Sequence, residues 1–249
     1  MRMIDLHCHL LPGIDDGART MEQALSMARF AADDGIGYCV LTPHIHPGRY
    51  QNSRVVIEQE ANRFRQTLKR EGIPMDVGFA AEVRLCPELG DLLDRDQVPF
   101  YGELDGYRVM LLEFPHSHVP KFGLDMVRHL IRRKIRPMIA HPERNKDVID
   151  DISLLLPYVE LGCMLQLTAS AVAGRFGKAP HRSARKILKL DAFKVLATDS
   201  HNLQGRLPQL KEGRNAAAKI IGEQAADDLV FANPLKIIWS QIIGEVAPV

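Results

Sequence analysis

Seven short apolar runs, each set off from the next by a longer polar or helix-like segment, constrain this chain more than any other feature of its sequence. They are Met3–His7, Tyr38–Thr42, Val77–Val83, Val109–Phe114, Pro137–His141, Met164–Thr168 and Lys194–Thr198. All are bounded by polar or turn residues, as buried parallel strands are. Between the second and third runs, Ser53 is a candidate helix N-cap. Ile57, Ala61, Phe64 and Leu68 follow on one face, and Gly72 and Pro74 stop the helix. A second helix is predicted from about Thr20 to Asp34, with Ala24, Leu25, Ala28 and Ala31 on one face and Gly35 as its stop. Segments from Leu124, Ile149, Arg182 and Leu207 also read as helical. Strand–helix alternation implies an α/β fold with a parallel sheet. Seven such repeats in 249 residues favour a closed barrel over an open sheet. No repeat, low-complexity tract or linker divides the chain, so residues 1–249 are expected to form one domain.

Charge and cysteine usage narrow the setting. Lys plus Arg is 32 and Asp plus Glu is 31, a net charge of +1, which argues against a general nucleic-acid binder. Cys8, Cys39, Cys86 and Cys163 are scattered and form no C-x-x-C pair, so they read as free thiols of a reducing, cytoplasmic protein. The first residues lack an apolar signal core, and no apolar run approaches the roughly 20 residues that span a bilayer. No membrane insertion is expected.

The polar residues fall on this map in one pattern. His7 and His9 end the first run and His44 follows the second; Glu82 ends the third, Glu113 the fourth and His141 the fifth; Asp199 and His201 follow the seventh. In parallel barrels the catalytic groups gather at the C-terminal ends of the strands. Taken singly, each has a plainer explanation. A lone histidine at a strand end is more often structural than a ligand, Asp199-Ser200-His201 is also a helix-cap pattern, and Glu113 suits a buried ion pair. Eight metal-ligand residue types at the same end of the strands are not explained that way. Imidazole and carboxylate without thiolate suit Mn, Fe or Zn. A carboxylate such as Glu82 can bridge two ions, which together activate water and clamp a phosphoryl group. His46, His116, His118, His129 and His181 read as surface or neighbouring groups, His46 being the nearest. Asp15 and Asp16 stand in a Gly-rich turn and read first as turn residues.

Other chemistries fail on spacing. Gly35-Ile36-Gly37 precedes a strand and lacks the third glycine of a dinucleotide loop, and Gly174 to Lys178 has no P-loop spacing. The sixth positions after the cysteines are Ile14, Ile45, Leu92 and Ala169, never the arginine of a thiolate phosphatase. There is no G-x-S-x-G elbow.

The motifs Ile4-Asp5-Leu6-His7-Cys8-His9-Leu10-Leu11-Pro12-Gly13-Ile14-Asp15-Asp16-Gly17, Thr42-Pro43-His44, Ala81-Glu82, Leu112-Glu113-Phe114, Ala140-His141-Pro142-Glu143-Arg144 and Thr198-Asp199-Ser200-His201 run in order across nearly the whole chain. They resemble those of the polymerase-and-histidinol-phosphatase (PHP) tyrosine phosphatases of bacterial capsule and exopolysaccharide loci. The resemblance implies a distorted parallel (β/α)7, TIM-like barrel with three divalent ions, usually Mn, with Fe, Zn or Mg as alternatives. By position it assigns His7, His9, Glu82 and Asp199 to one ion, Glu82, Glu113 and His141 to a second, and Asp16, His44 and His201 to a third. Arg144 and Arg206 match its phosphate-binding arginines. His44 and His201 stand where they could also assist proton transfer. The implied reaction is attack of metal-bound hydroxide, and of no cysteine, on phosphotyrosine in the C-terminal tail of a bacterial tyrosine autokinase. That cycle regulates polysaccharide synthesis, and oligomerisation is compatible with it. The segment His44-Ile45-His46-Pro47 departs from the adjacent His-His common in the family. A PHP-type histidinol phosphate phosphatase is the alternative enzyme, disfavoured by the D-D-G opening and the H-P-E-R segment. A non-enzymatic PHP domain is disfavoured because all nine ligand positions hold competent residues.

Overall fold

The computed structural model describes residues 2–246. The ends of the expected domain, residue 1 and residues 247–249, lie outside the described residues. The strands are β1 (Met3–Cys8), β2 (Ile36–Leu41), β3 (His44–His46), β4 (Tyr50–Gln51), β5 (Asp76–Phe79), β6 (Glu82–Arg84), β7 (Gly102–Leu104), β8 (Tyr107–Glu113), β9 (Ile135–Ala140), β10 (Met164–Thr168) and β11 (Lys194–Ala197). All seven predicted strands are present. The third is interrupted at Ala80-Ala81, giving β5 and β6, and Thr42-Pro43 similarly separates β2 from β3.

The fold is mixed α/β with mainly parallel strands. One sheet runs β1-β2-β5; the other runs β11-β10-β9-β8-β6-β3-β4, with β7 on β8. Every pairing is parallel except the hairpins β3–β4 and β7–β8. An isolated parallel bridge joins Cys8 to Ser200. Around it Asp199 N–H donates to the His7 carbonyl (2.7 Å) and His9 N–H to the Ser200 carbonyl (2.9 Å).

The helices expected from Ser53 and from about Thr20 both form, Ser53 capping as expected and Thr20 serving as the cap of the other. Thr20 and Ser53 accept from Gln23 N–H and Val56 N–H, opening the helices Met21–Asp34 and Arg54–Arg70. Gly35, at φ 99°, supplies the left-handed residue that ends the first. The helix expected from Leu207 begins instead at Lys211, because Pro208 precedes it and Asp34 Oδ2 accepts from Leu210 N–H and Lys211 N–H. The helix expected from Arg182 starts earlier, at Lys178, with Pro180 tolerated in its first turn.

Strand alternation divides the core. Ile4, Leu6, Val40, Ala80, Val109, Leu111, Met138, Met164 and Val195 pack together with Ile237 and Ile238 of the final helix, Ala232–Val246. The intervening positions, such as Cys39, Leu41, Val77, Met110, Leu112, Ile139 and Leu165, pack against the other helices. Two residues beyond the first, internal set along several strands, the apolar side chains give way to polar ones. Ala80 is followed by Glu82, Leu111 by Glu113, and Met164 by Gln166. The period-two rule thus carries the internal face of the sheet into a polar cluster at its C-terminal end.

Candidate metal centre

His7 and His9 straddle the end of β1, and their rings converge: the two Nε2 atoms are 3.1 Å apart. His7 Nε2 lies 3.2 Å from Glu82 Oε2 and 3.3 Å from Asp199 Oδ1; His9 Nε2 lies 3.3 and 3.5 Å from the same atoms. Four ligands at about 2.1 Å from one tetrahedral ion would stand about 3.4 Å from one another. All four residues are buried.

The outer nitrogens of both rings are committed. His7 Nδ1 faces Gln166 Oε1 at 2.8 Å and His9 Nδ1 faces Asp15 Oδ2 at 2.7 Å. Each acceptor requires an N–H, so in the neutral rings both Nε2 atoms present lone pairs to the same point. Two lone pairs 3.1 Å apart, beside two carboxylate oxygens, require a proton or a cation between them. Burial opposes charge on His9, but Asp15 outweighs it and holds the imidazole well above its usual range. Burial likewise opposes charge on Glu82 and Asp199, yet His7 holds each carboxylate well below its ordinary value. Asp199 Oδ1, which faces this point, has no hydrogen-bond partner among the described residues. The donor set therefore fits a divalent cation.

A second cluster adjoins the first. His44 Nε2 lies 3.3 Å from Asp16 Oδ1 and His201 Nε2 lies 3.5 Å from the same oxygen. His9 completes this group. The facing imidazoles of His201 and His44 hold the Asp16 carboxyl far below its usual range. Burial and the charge of His9 push His201 down to about 4, leaving a neutral, ligand-competent imidazole at neutral pH. The third expected group is divided. His141 Nε2 meets Glu82 Oε1 at 2.8 Å, while the ligand atoms grouped with those of Glu82 and Glu113 are those of His44, which lies 3.0 Å from Glu82 Oε2. Glu113 Oε1 is also 3.4 Å from Arg84 Nη1. Burial and the charge of Glu82 raise its carboxyl to about 7.

Arg144 and Arg206 both bond Asp199 Oδ2, the second at 2.5 Å. With Asp16, Glu82, Glu113, His141, His44, His46, Arg49, Tyr50, Arg84 and His116 they line a cavity of about 320 Å³. Asp16 and His201 also line a neighbouring groove of about 670 Å³. His118, His129 and His181 line neither cavity; His46 and His116 do line the smaller one. Cys8 turns away from the two histidines and donates from Sγ to the Val40 carbonyl at 3.4 Å; burial raises its thiol well above the usual range.

Three supporting residues escape a reading confined to ligand types. Asp15, read as a turn residue, orients His9 and also accepts from Gly17 N–H and His44 N–H. Gln166 orients His7 and accepts from His141 N–H. Asp5 accepts from Thr198 N–H at 2.9 Å and Thr198 Oγ1 at 2.5 Å, which fixes the approach to Asp199. The adjacency of Asp15 to Asp16 and the strand period leading to Gln166 were the available signals. His141 and Asp199 carry left-handed backbones, φ 31° and 52°. Such strain in non-glycine residues clusters at functional sites. Gly17 closes the loop for a steric reason, because a Cβ there would sit 2.1 Å from the His9 carbonyl oxygen.

Residues 3–239 match the family model described as capsular polysaccharide synthesis, CpsB/CapC. The chain belongs to this family. It is 33% identical over 222 residues to the tyrosine-protein phosphatase YwqE of Bacillus subtilis, covering 89% of this chain and 86% of that protein. It is 26% identical over 247 residues to the tyrosine-protein phosphatase CpsB of Streptococcus pneumoniae, covering 97% and 100%. Among solved structures it superposes with a TM-score of 0.86, at 33% identity and 94% coverage of each chain, on one from the crystal structures of YwqE and CpsB, described as unique metal-dependent tyrosine phosphatases. A structure of an amidohydrolase II matches at a TM-score of 0.52 and 15% identity, covering 95% of this chain and 99% of that one, a likeness of fold alone.

Proposed function

We propose that this protein is a metal-dependent protein-tyrosine phosphatase. Its substrate would be a phosphotyrosine-bearing tail of a bacterial tyrosine kinase that governs capsular or exopolysaccharide synthesis. The convergence of His7, His9, Glu82 and Asp199 on one point carries this reading, and the kinship with YwqE and CpsB supports it. We assign the site three divalent ions, Mn first among them because the donors are hard to borderline. His7, His9, Glu82 and Asp199 would hold one; Glu82, Glu113 and His141 a second; Asp16, His44 and His201 a third. For the scaffold we favour the distorted (β/α)7 barrel. The parallel bridge between Cys8 and Ser200 supports closure of the strand order, as does continuation of β2 into β3 and of β5 into β6.

When bound, such ions lower the pKa of water towards neutrality and offset charge on a transferring phosphoryl group. The residues of the chain do the rest. Gln166 and Asp15 lock the tautomers of His7 and His9. Arg144 and Arg206, already converged on one carboxylate oxygen, can present their N–H forks to phosphate oxygens and follow charge as it develops there. A phenol of pKa about 10 leaves with little protonation, so an acid role for His201 or His44 is secondary. No nucleophilic role falls to Cys8, whose thiol is buried and points elsewhere.

The cavity and the neighbouring groove meet at Asp16, which lines both. That suits a phosphorylated side chain presented on a polypeptide better than a small alcohol phosphate. The test is to assay a phosphotyrosyl peptide and histidinol phosphate on one metal-loaded preparation. A kcat/KM at least tenfold higher for the peptide is expected; a preference for histidinol phosphate would overturn the reading.

A further inference from the structure

Four arginines line the cavity: Arg49, Arg84, Arg144 and Arg206. Arg144 and Arg206 are engaged with Asp199. Arg84 lies 3.4 Å from Glu113 and donates to the Phe114 carbonyl at 2.8 Å. The lining carboxylates, Asp16, Glu82 and Glu113, all belong to the ligand clusters. Arg49 differs from the other three arginines. Its side chain is exposed and, among the described residues, makes no ion pair or hydrogen bond; its guanidinium lies over the Tyr50 ring, 4.9 Å from the centroid.

The hairpin holds it in place. Ile45 pairs with Gln51 and His46 with Tyr50, and Arg49 N–H donates to the His46 carbonyl at 2.9 Å. Asn52 ties the hairpin to the loop carrying Asp15 and Asp16 by donating to the Ile14 and His44 carbonyls, each at 2.9 Å. Tyr50 in turn stacks on His44, with centroids 5.3 Å apart and planes 9° apart. Arg49 is thus two ring contacts from a candidate ligand, at the mouth of the cavity. Arg49 lines the same cavity as Arg144 and Arg206, and a residue one or two positions along an extended peptide lies roughly 4–7 Å from its neighbour, so a residue flanking a phosphotyrosine seated there is the group this guanidinium could meet.

We propose that Arg49, held on Tyr50 by the β3–β4 hairpin, is a specificity-determining residue that selects phosphotyrosine segments with an Asp or Glu beside the phosphorylated residue. A planar fork with no ion pair or hydrogen bond among the described residues matches a carboxylate bidentately. The inference rests on the phosphatase reading. An exposed pair of this kind contributes modestly, so the discrimination expected is about fivefold.

The experiment compares two phosphotyrosyl peptides, identical except for Glu or Gln at the flanking positions, on the metal-loaded enzyme, with p-nitrophenyl phosphate as the flank-free substrate. The Glu-to-Gln ratio of kcat/KM should be about five for the native protein, arise in KM, and shrink as salt is raised. In Arg49→Ala the ratio should fall to about one; Arg49→Lys should retain part of it, and Arg49→Glu should invert it. A ratio that is the same in the native protein and in Arg49→Ala overturns the assignment, as does a native ratio of one. Failure of the native protein to hydrolyse even p-nitrophenyl phosphate would instead reject the phosphatase reading on which it stands.

Discussion

Asp15→Asn separates orientation of a ligand from ligation itself. The Asp15 carboxylate is buried, 2.7 Å from His9 Nδ1, and also accepts from His44 N–H at 3.2 Å and Gly17 N–H at 2.9 Å. Asparagine keeps the shape and one acceptor oxygen, which can serve His9, but removes the charge and turns its amide nitrogen towards Gly17 N–H. Loss of that last bond costs about 1 kcal/mol and lowers the melting temperature by about 2–4 °C. Loss of the charge behind a ligating imidazole lowers metal affinity about 10–100-fold, or about 1.4–2.8 kcal/mol. The carboxylate also favours the competing proton on His9, so the two effects partly cancel in acid. The loss of affinity should therefore be larger at about pH 8.5 than at about pH 6.5. Titration of the metal-free protein against a chelator of known affinity at both pH values reads this directly, and turnover at saturating metal should recover most of the native rate. Unchanged affinity, or an activity loss that saturating metal does not repair, would refute the account of Asp15.

Arg206→Ala and Arg144→Ala should each lower kcat by roughly 10²-fold, the scale for losing one stabilising donor, with the metal content unchanged by elemental analysis. Normal rates in both would remove them from the reaction. Cys8→Ser should retain most of the native turnover, and thiol alkylation of the folded protein should inhibit little, because Cys8 is buried and bonded to the Val40 carbonyl. Asp34→Ala leaves Leu210 N–H and Lys211 N–H unpaired at a helix start. It should cost about 1 kcal/mol, seen as a melting temperature lower by about 2–4 °C, with turnover preserved.

How much of this was legible in the sequence depended on distance along the chain. Strands, helix caps and ligand residues are local signals: Ser53, Gly35 and the short apolar runs announce themselves within a few positions. The expectation that His7 and His9 converge while Cys8 turns away follows from strand alternation, and the Nε2 separation and the Cys8–Val40 bond agree with it. Contacts across the fold were not legible. Gln166 is 159 positions from His7, and Asp5 is 193 from Thr198; nothing near either residue names its partner. Asp15 was hidden differently, because Asp in a Gly-rich turn has an ordinary explanation. The start of the helix at Lys211 was missed because its cap, Asp34, comes from another helix, 177 positions away.

The central claim is that a polynuclear metal site hydrolyses phosphotyrosine. Its most direct test measures metal content and turnover of a phosphotyrosyl peptide in the same samples, before chelation, after it, and after reconstitution with Mn. The account predicts about three ions per chain, activity lost with the ions, and recovery that tracks their return. Full turnover by protein shown to be free of metal would contradict it.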